Sequence, residues 1–230
     1  AERRLIGITG SNGKTSVKEM CRKILVDASS AEAVLSTRGH LNNDIGVPMM
    51  LLELRPSHRS AVIEMGANHV GEIDYLTAIA NPDVAILNNV GPAHLEGFGS
   101  LENIARAKAE IYHGLSADGF AVINRDDVFA PFWFEYCDQH CAAENIISFS
   151  MQDEQADVYA ESISEGIYRV TASGDHADLT MNVPGKHNVM NALAAIAATT
   201  CVGVSLSSAV ASLSDFENIQ GRLTIIDSPA

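Results

Sequence analysis

The chain has 230 residues, 47% of them hydrophobic, and a formal net charge of −14. That length and composition fit one α/β domain with a full core and exclude an intrinsically disordered chain. The acidic balance argues against nucleic acid or an anionic membrane as partner. No apolar run approaches a membrane span, and a phosphorylated ligand would need local cations or a metal ion.

The opening residues Ala1-Glu2-Arg3-Arg4 lack the apolar core of a signal peptide and run almost directly into a strand. The chain therefore reads as a domain cut from a longer protein. Cys21 and Cys201 fall on apolar helix stripes, as reduced thiols of a cytoplasmic protein would. Cys137 and Cys141 have metal-like spacing around His140, but no second ligand pair stands elsewhere. They read better as two exposed or half-buried cysteines on a helix.

In chain order, the apolar run Leu5 to Ile8 is followed by Thr9-Gly10-Ser11-Asn12-Gly13-Lys14-Thr15-Ser16 and then by a helix. Val17, Met20, Cys21, Ile24, Leu25 and Ala28 form its buried stripe, with Lys18, Glu19, Arg22 and Lys23 on the other face. Strand, glycine loop, Lys-Thr and helix make a phosphate-binding loop: backbone N–H groups and the helix N-terminus face an anion. Lys14 would reach the outer phosphates and the Thr15 hydroxyl would hold magnesium. The general pattern wants a further glycine where Ile8 stands, so this is a Gly-x-x-Gly-Lys-Thr variant. The bland alternative is a glycine-rich turn that binds nothing.

A second strand near Ala33 to Ser36 leads into the polar loop Thr37-Arg38-Gly39-His40-Leu41-Asn42-Asn43-Asp44, which either binds a ligand or caps the helix after it. Ser60 to Met65 reads as a third strand with Glu64 at its end, placed to orient a metal or to cap the next helix. The loop Gly66-Ala67-Asn68-His69-Val70-Gly71-Glu72-Ile73 follows, another stretch suited to a ligand, and leads into a helix. A fourth strand, Pro82 to Asn88, runs into Gly91-Pro92-Ala93-His94. His94 stands past the carboxyl end of a strand, the edge where open α/β sheets bind ligands. In the helix predicted over 101–115, Lys108 fills a gap in the apolar stripe and points inward. That position is costly unless the amine is paired, bound or modified; a snorkelling side chain is the ordinary alternative.

Strands at Gly119 to Asn124 and Asn145 to Phe149, with a helix around 128–140, complete a mostly parallel, doubly wound sheet with helices on both faces. Three short strands within 156–183 read as a small antiparallel appendage. Lys186-His187-Asn188-Val189-Met190-Asn191 opens another helix, with Asn188 and Asn191 on one face. These amides could read a base or a phosphate, or cap the helix. A last helix follows near 205–213, and Arg222 follows Gly221 where it could meet a phosphate.

These segments together resemble the Mur ligases of peptidoglycan synthesis, specifically their central ATP-binding domain. The carrying residues are the phosphate loop, Leu41 to Pro48, Glu64 to His69, Ala93 to Ser100, Gly185 to Ala192 and Gly221-Arg222. Gly66-Ala67-Asn68-His69 and Ala93-His94-Leu95-Glu96-Gly97-Phe98-Gly99-Ser100 resemble the MurF type. The resemblance implies a P-loop α/β fold over residues 1–230, with UDP-binding N-terminal and C-terminal domains elsewhere. It implies ATP-dependent joining of D-alanyl-D-alanine to UDP-N-acetylmuramoyl-tripeptide through an acyl phosphate, by a cytoplasmic monomer.

It further implies that Gly10, Ser11, Asn12, Gly13, Lys14, Thr15 and Ser16 hold ATP, with Asn188 on the nucleotide and Arg222 on its γ-phosphate. Lys14, His94 and Lys108 would be the catalytic residues. Two magnesium ions would sit on Thr15 and Glu64, and on His94 and a CO2-derived carbamate of Lys108. Asn42, Asn43, Asn68 and His69 would face the muramyl-peptide. The competing readings are a P-loop kinase or ATPase that leaves Lys108 and His94 idle, and an amide ligase of the folylpolyglutamate or cyanophycin synthetase type. A pure nucleotide-binding module is a further alternative.

Overall fold

The computed structural model describes residues 3–92, 95–141, 145–182, 185–214 and 216. Among them nine strands form one sheet: β1 (Arg4–Thr9), β2 (Val34–Ser36), β3 (Ser60–Glu64), β4 (Val84–Leu87), β5 (Phe120–Asn124), β6 (Asn145–Ser150), β7 (Val158–Ser164), β8 (Ile167–Ala172) and β9 (Asp175–Thr180). The helices are α1 (Lys14–Asp27), α2 (Gly46–Leu52), α3 (Glu72–Ala80), α4 (Leu95–Phe98), α5 (Leu101–Ala109), α6 (Ala130–His140), α7 (Lys186–Cys201) and α8 (Leu206–Ser214).

The strand order is β2-β3-β1-β4-β5-β6-β7-β8-β9. Pairing is parallel from β2 through β7 and antiparallel across β7, β8 and β9. The first strand thus lies inside the sheet, with β3 on one side and β4 on the other. Such a reversal opens a crevice beyond the carboxyl ends of the strands. Register keeps those ends level, because Ile8 lies beside Glu64 on β3 and beside Ile86 on β4.

Side chains alternate between the faces of a strand. Ile6, Ile8, Val62, Val84, Ile86 and Val122 pack with α1, α7 and α8, whereas Leu5, Ala61, Ile63, Ala85, Leu87 and Ile123 pack with α2, α3, α5 and α6. Both faces are covered, which is why these strands read as continuous apolar runs. In α7, Ala192, Ala194, Ala195, Ala197 and Ala198 are all fully buried, and the helix packs against α1. A helix with no polar face belongs in the interior, and alanines let its neighbours approach closely. No helix among the described residues is long and apolar enough to cross a membrane.

The doubly wound, mostly parallel sheet with helices on both faces is borne out, and four details differ. The three antiparallel strands continue the main sheet instead of standing apart. β7 pairs with β6 only at Phe149–Val158 and Ser150–Tyr159, so β7 begins where β6 ends and needs no long crossover. The short return is held by Asp126, which accepts from Ser150 Oγ and Met151 N, and by Asp157, which accepts from Ser148 N. The helix predicted over 101–115 stops at Ala109 and tightens into a 3-10 turn over Glu110–Gly114. Lys18 is buried, not outward, because the chain leaving β2 covers that side of α1. Its ammonium donates to Thr37 O at 2.9 Å and pairs with Glu19 at 2.7 Å. Cys137 is buried like Cys21, while Cys141 and Cys201 are half-buried; none of the four forms a disulfide, and burial pushes the Cys201 thiol up to about 12.

Candidate nucleotide and acid-activating site

β1 delivers the phosphate loop to the crevice, and the loop rests on a bed of asparagines. Ser11 N donates to Asn89 O at 3.0 Å and Asn12 N to Asn89 Oδ1 at 2.9 Å. Asn88 Nδ2 donates to Asn12 O at 3.0 Å and to Asn191 Oδ1 at 2.9 Å. Gly13 adopts φ +78°, and a Cβ there would lie 2.4 Å from Asn191 Oδ1 and 2.7 Å from Asn88 Nδ2. Only glycine fits that conformation in that space. Gly13 is also the N-cap of α1, so no side chain satisfies the first N–H groups of a 14-residue helix, and its first turn carries no acid. A helix start with no side-chain cap, together with the helix dipole, makes this an anion seat. Lys14 Nζ donates to Gly10 O at 2.7 Å, which holds the ammonium over the same loop. Ser11, Lys14, Thr15 and Ser16 are half-buried here and Asn12 is exposed.

Glu64, at the end of β3, is 3% exposed. Its Oε1 accepts from Asn42 Nδ2 at 2.8 Å, and its backbone N–H donates to Thr37 Oγ1 at 2.9 Å. Its Oε2 is buried without a hydrogen-bond partner. An orphaned carboxylate oxygen is costly in the interior, and a divalent cation would satisfy it. Thr15, in the first turn of α1, follows the strand that pairs with β3. Among the described residues no three His, Cys, Asp or Glu side chains converge. One carboxylate and one hydroxyl suit magnesium, which completes its shell with water and substrate phosphates.

Beside the loop lies a cavity of about 320 Å³ lined by Lys14, Lys108, Asn42, Asn43, Asp44, Asn68 and Glu72, with Gly66 and Ala67. Lys108 does point inward: it is 3% exposed, and its amine is lowered to about 7 by desolvation first and by the charge of Lys14 second. Two amines, three amides and two carboxylates in one pocket can take an anion at the lysines and hydrogen-bonding groups at the rim. A larger cleft of about 870 Å³, by Phe120, Asp157, Thr200 and Leu206, contains no lysine, arginine or histidine and cannot serve phosphates.

The remaining predicted residues are distributed unevenly. Asn43 lines the cavity, but its Oδ1 caps α2 by accepting from Gly46 N at 2.8 Å. His69 does not line it; the ring lies toward Gly97 of α4. Asn188 is half-buried in the first turn of α7, outside the cavity lining. His94 and Arg222 lie outside the described residues. Asn88 and Asn89 had no role in the sequence reading, although an asparagine pair at a strand end beside the phosphate loop was a usable signal. Asp44 and Glu72 were read only as members of their ligand-binding loops, and the cavity is what brings the two acids together.

The family model for the Mur ligase middle domain matches residues 8–199. The chain belongs to that family. Within the Mur ligases it is 42% identical over 221 residues to the UDP-N-acetylmuramoyl-tripeptide–D-alanyl-D-alanine ligase of Haemophilus influenzae, covering 96% of this chain and 48% of that protein. The Escherichia coli K12 ligase of the same name is 42% identical over 224 residues, again covering 96% and 48%. A crystal structure of MurF from Acinetobacter baumannii superposes with a TM-score of 0.89 at 40% identity, over 99% of this chain and 49% of that one. MurF from Thermotoga maritima, solved in complex with ADP, gives 0.80 at 27% identity, over 96% and 50%. The chain thus spans about half the length of each of these four relatives. The family read from the motifs is borne out, and so is the likeness to its MurF type.

Proposed function

We propose that this chain is the ATP-binding middle domain, residues 1–230, of a MurF-type ligase. The full-length protein would carry UDP-binding N-terminal and C-terminal domains and would act in the cytoplasm as a monomer. The reaction joins D-alanyl-D-alanine to UDP-N-acetylmuramoyl-tripeptide in peptidoglycan precursor synthesis, with ATP converted to ADP and phosphate. The observation that carries this reading is the cavity in which the phosphate-loop lysine and a second buried lysine meet the amides of Asn42 and Asn68. A plain ATPase has no use for that second, acid-accepting compartment. The ADP-bound relative and the D-alanyl-D-alanine ligases at 42% identity support the same assignment.

A carboxylate oxygen of the tripeptide attacks the γ-phosphorus and ADP leaves, giving an acyl phosphate. The amine of D-alanyl-D-alanine then attacks the acyl carbon, and the tetrahedral adduct loses phosphate and a proton. Residues 10–16 would surround the phosphates, with the N–H groups from residue 13 onward facing them, since Ser11 N and Asn12 N donate to Asn89. Lys14, swung from Gly10 O, would balance charge on the transferring phosphoryl group. Asn42 and Asn68 would hold the acid, with Asn43 and His69 further out along the peptide, Asn188 on the nucleotide and Arg222 on its γ-phosphate. Magnesium, held by Thr15 and Glu64 and in a second site by His94 and Lys108, would neutralise phosphate charge as a Lewis acid.

Lys108 would serve there as a carbamate: its amine, held near 7, is a competent nucleophile toward CO2 at neutral pH, forming an N–C bond and releasing a proton. That converts a buried cation into an anion beside Lys14.

The full-length protein is expected to release phosphate only when ATP, the muramyl-tripeptide and D-alanyl-D-alanine are all present, and residues 1–230 alone to ligate poorly. Phosphate release without the acid and amine would mark a plain ATPase. Turnover with glutamate, aspartate or arginine in place of the dipeptide would mark a different amide ligase. Either result overturns the proposal.

A further inference from the structure

Glu110 lies two residues beyond Lys108, in the 3-10 turn that ends α5, and it is buried at 7% exposure. Its carboxylate reaches across to α3. Gly71 N donates to Oε1 at 2.9 Å and to Oε2 at 3.0 Å, and Asp74 N donates to Oε2 at 3.1 Å. Gly71 is the N-cap of α3, has φ +89° and possesses no side chain to cap its own helix. Glu110 therefore supplies from 39 residues away the acceptor that an N-cap side chain would normally provide.

What the capped turn carries is the loop that reaches the cavity. Asn68 and Glu72 both line it, and Glu72 Oε2 accepts from Asn68 N at 2.7 Å and from His69 N at 3.3 Å. On the outer side, Gly97 runs so close that a Cβ there would lie 2.4 Å from Asn68 O. The loop is thus fixed by two carboxylates and a glycine contact, and one of those carboxylates belongs to the segment that carries Lys108.

Helix α3 does not need Glu110 in order to stay docked. Ile73, Leu76, Thr77 and Ala80 are buried against the core, and Thr77 Oγ1 donates to Ile111 O at 2.8 Å. Removing the carboxylate releases the loop from the 3-10 turn while the body of the helix remains in place.

We propose that Glu110 is a positioning residue that fixes the Asn68 loop against the Lys108 helix and so sets the fit of the acid substrate. This rests on the ligase reading above. In the natural full-length protein, Glu110→Ala is expected to raise KM for UDP-muramyl-tripeptide at least about tenfold and to leave KM for ATP within about twofold. Glu110→Gln keeps one acceptor oxygen and is expected to fall between, which guards against an alanine variant that fails to fold. Thr77→Val removes a bond at the same contact without touching the loop, and is expected to lower the melting temperature with unchanged KM values. Glu110 variants that behave like Thr77→Val, or that raise both KM values together, would overturn the proposal. Wild-type protein inactive with the muramyl-tripeptide would instead sink the ligase reading, and this inference with it.

Discussion

Lys108 shows how far one residue can be read before any coordinates exist. Among apolar positions at helical spacing it is the misfit, so an inward lysine follows from periodicity alone. Its thermodynamics follow from its surroundings. The ordinary lysine value of 10.5 in the unfolded chain falls to about 7 in the fold. Between those values the unfolded chain binds more protons, so stability is greatest above pH 10.5 and is lost as pH falls toward 7. Each unit is worth about 1.4 kcal/mol, so the cost at neutral pH is on the order of a few kcal/mol. Lys108→Met is therefore expected to stabilise the ligand-free, uncarbamylated protein at pH 7 and to flatten its stability between pH 7 and 10, as urea melts across that range in CO2-free buffer would report. The same variant should lose about 10²–10³ in ligation rate, the usual effect of removing a preorganised electrostatic partner. A variant no more stable than wild type at pH 7 would contradict the desolvated amine. Lys18 marks the limit of such reading. Helical phase puts it outside, and only its bond to Thr37 O explains its burial.

At the scale of elements, the phosphate loop was legible because strand, glycines, Lys-Thr and helix are contiguous. Its bed was not, because Asn88 and Asn191 are 103 residues apart and nothing local reports that they meet. The antiparallel strands were equally legible one by one. Their junction with β6 was hidden because it rests on two residue pairs and a hydrogen-bonded return, not on an apolar pattern. The bed predicts a sharp intolerance. Gly13→Ala places a methyl group within hydrogen-bond distance of both amides and demands φ +78° from a residue with a Cβ. The strain should cost about 1–3 kcal/mol. Because the loop must move to relieve it, Mg-ATP affinity should fall by more than the tenfold that corresponds to about 1.4 kcal/mol. Calorimetric titration of the variant checks this, and wild-type affinity in a folded Gly13→Ala protein would show that the asparagine bed does not set the loop.

For the whole molecule, the two cores are separate in space yet share every central strand. Leu5 packs on one face while Ile6 and Ile8 pack on the other, and β3, β4 and β5 divide their residues the same way. Neither helix layer can leave without exposing one side of strands whose other side the remaining layer still needs. The antiparallel end is tied in as well, since Val158, Ala160, Val170 and Leu179 belong to the core under α1 and α7. A chain of 230 residues need not unfold in one step, but this sharing argues that the sheet and both layers do. The only tryptophan makes the test clean. Trp133 stands on the buried face of α6, so its fluorescence reports one layer, whereas far-ultraviolet circular dichroism reports the helices of both. In urea the two signals are expected to share a midpoint. If fluorescence changes well before the dichroism, the α6 layer peels away by itself. The cavity that pairs Lys14 from the α1 side with Lys108 from the α5 side would then lack the common frame this argument gives it.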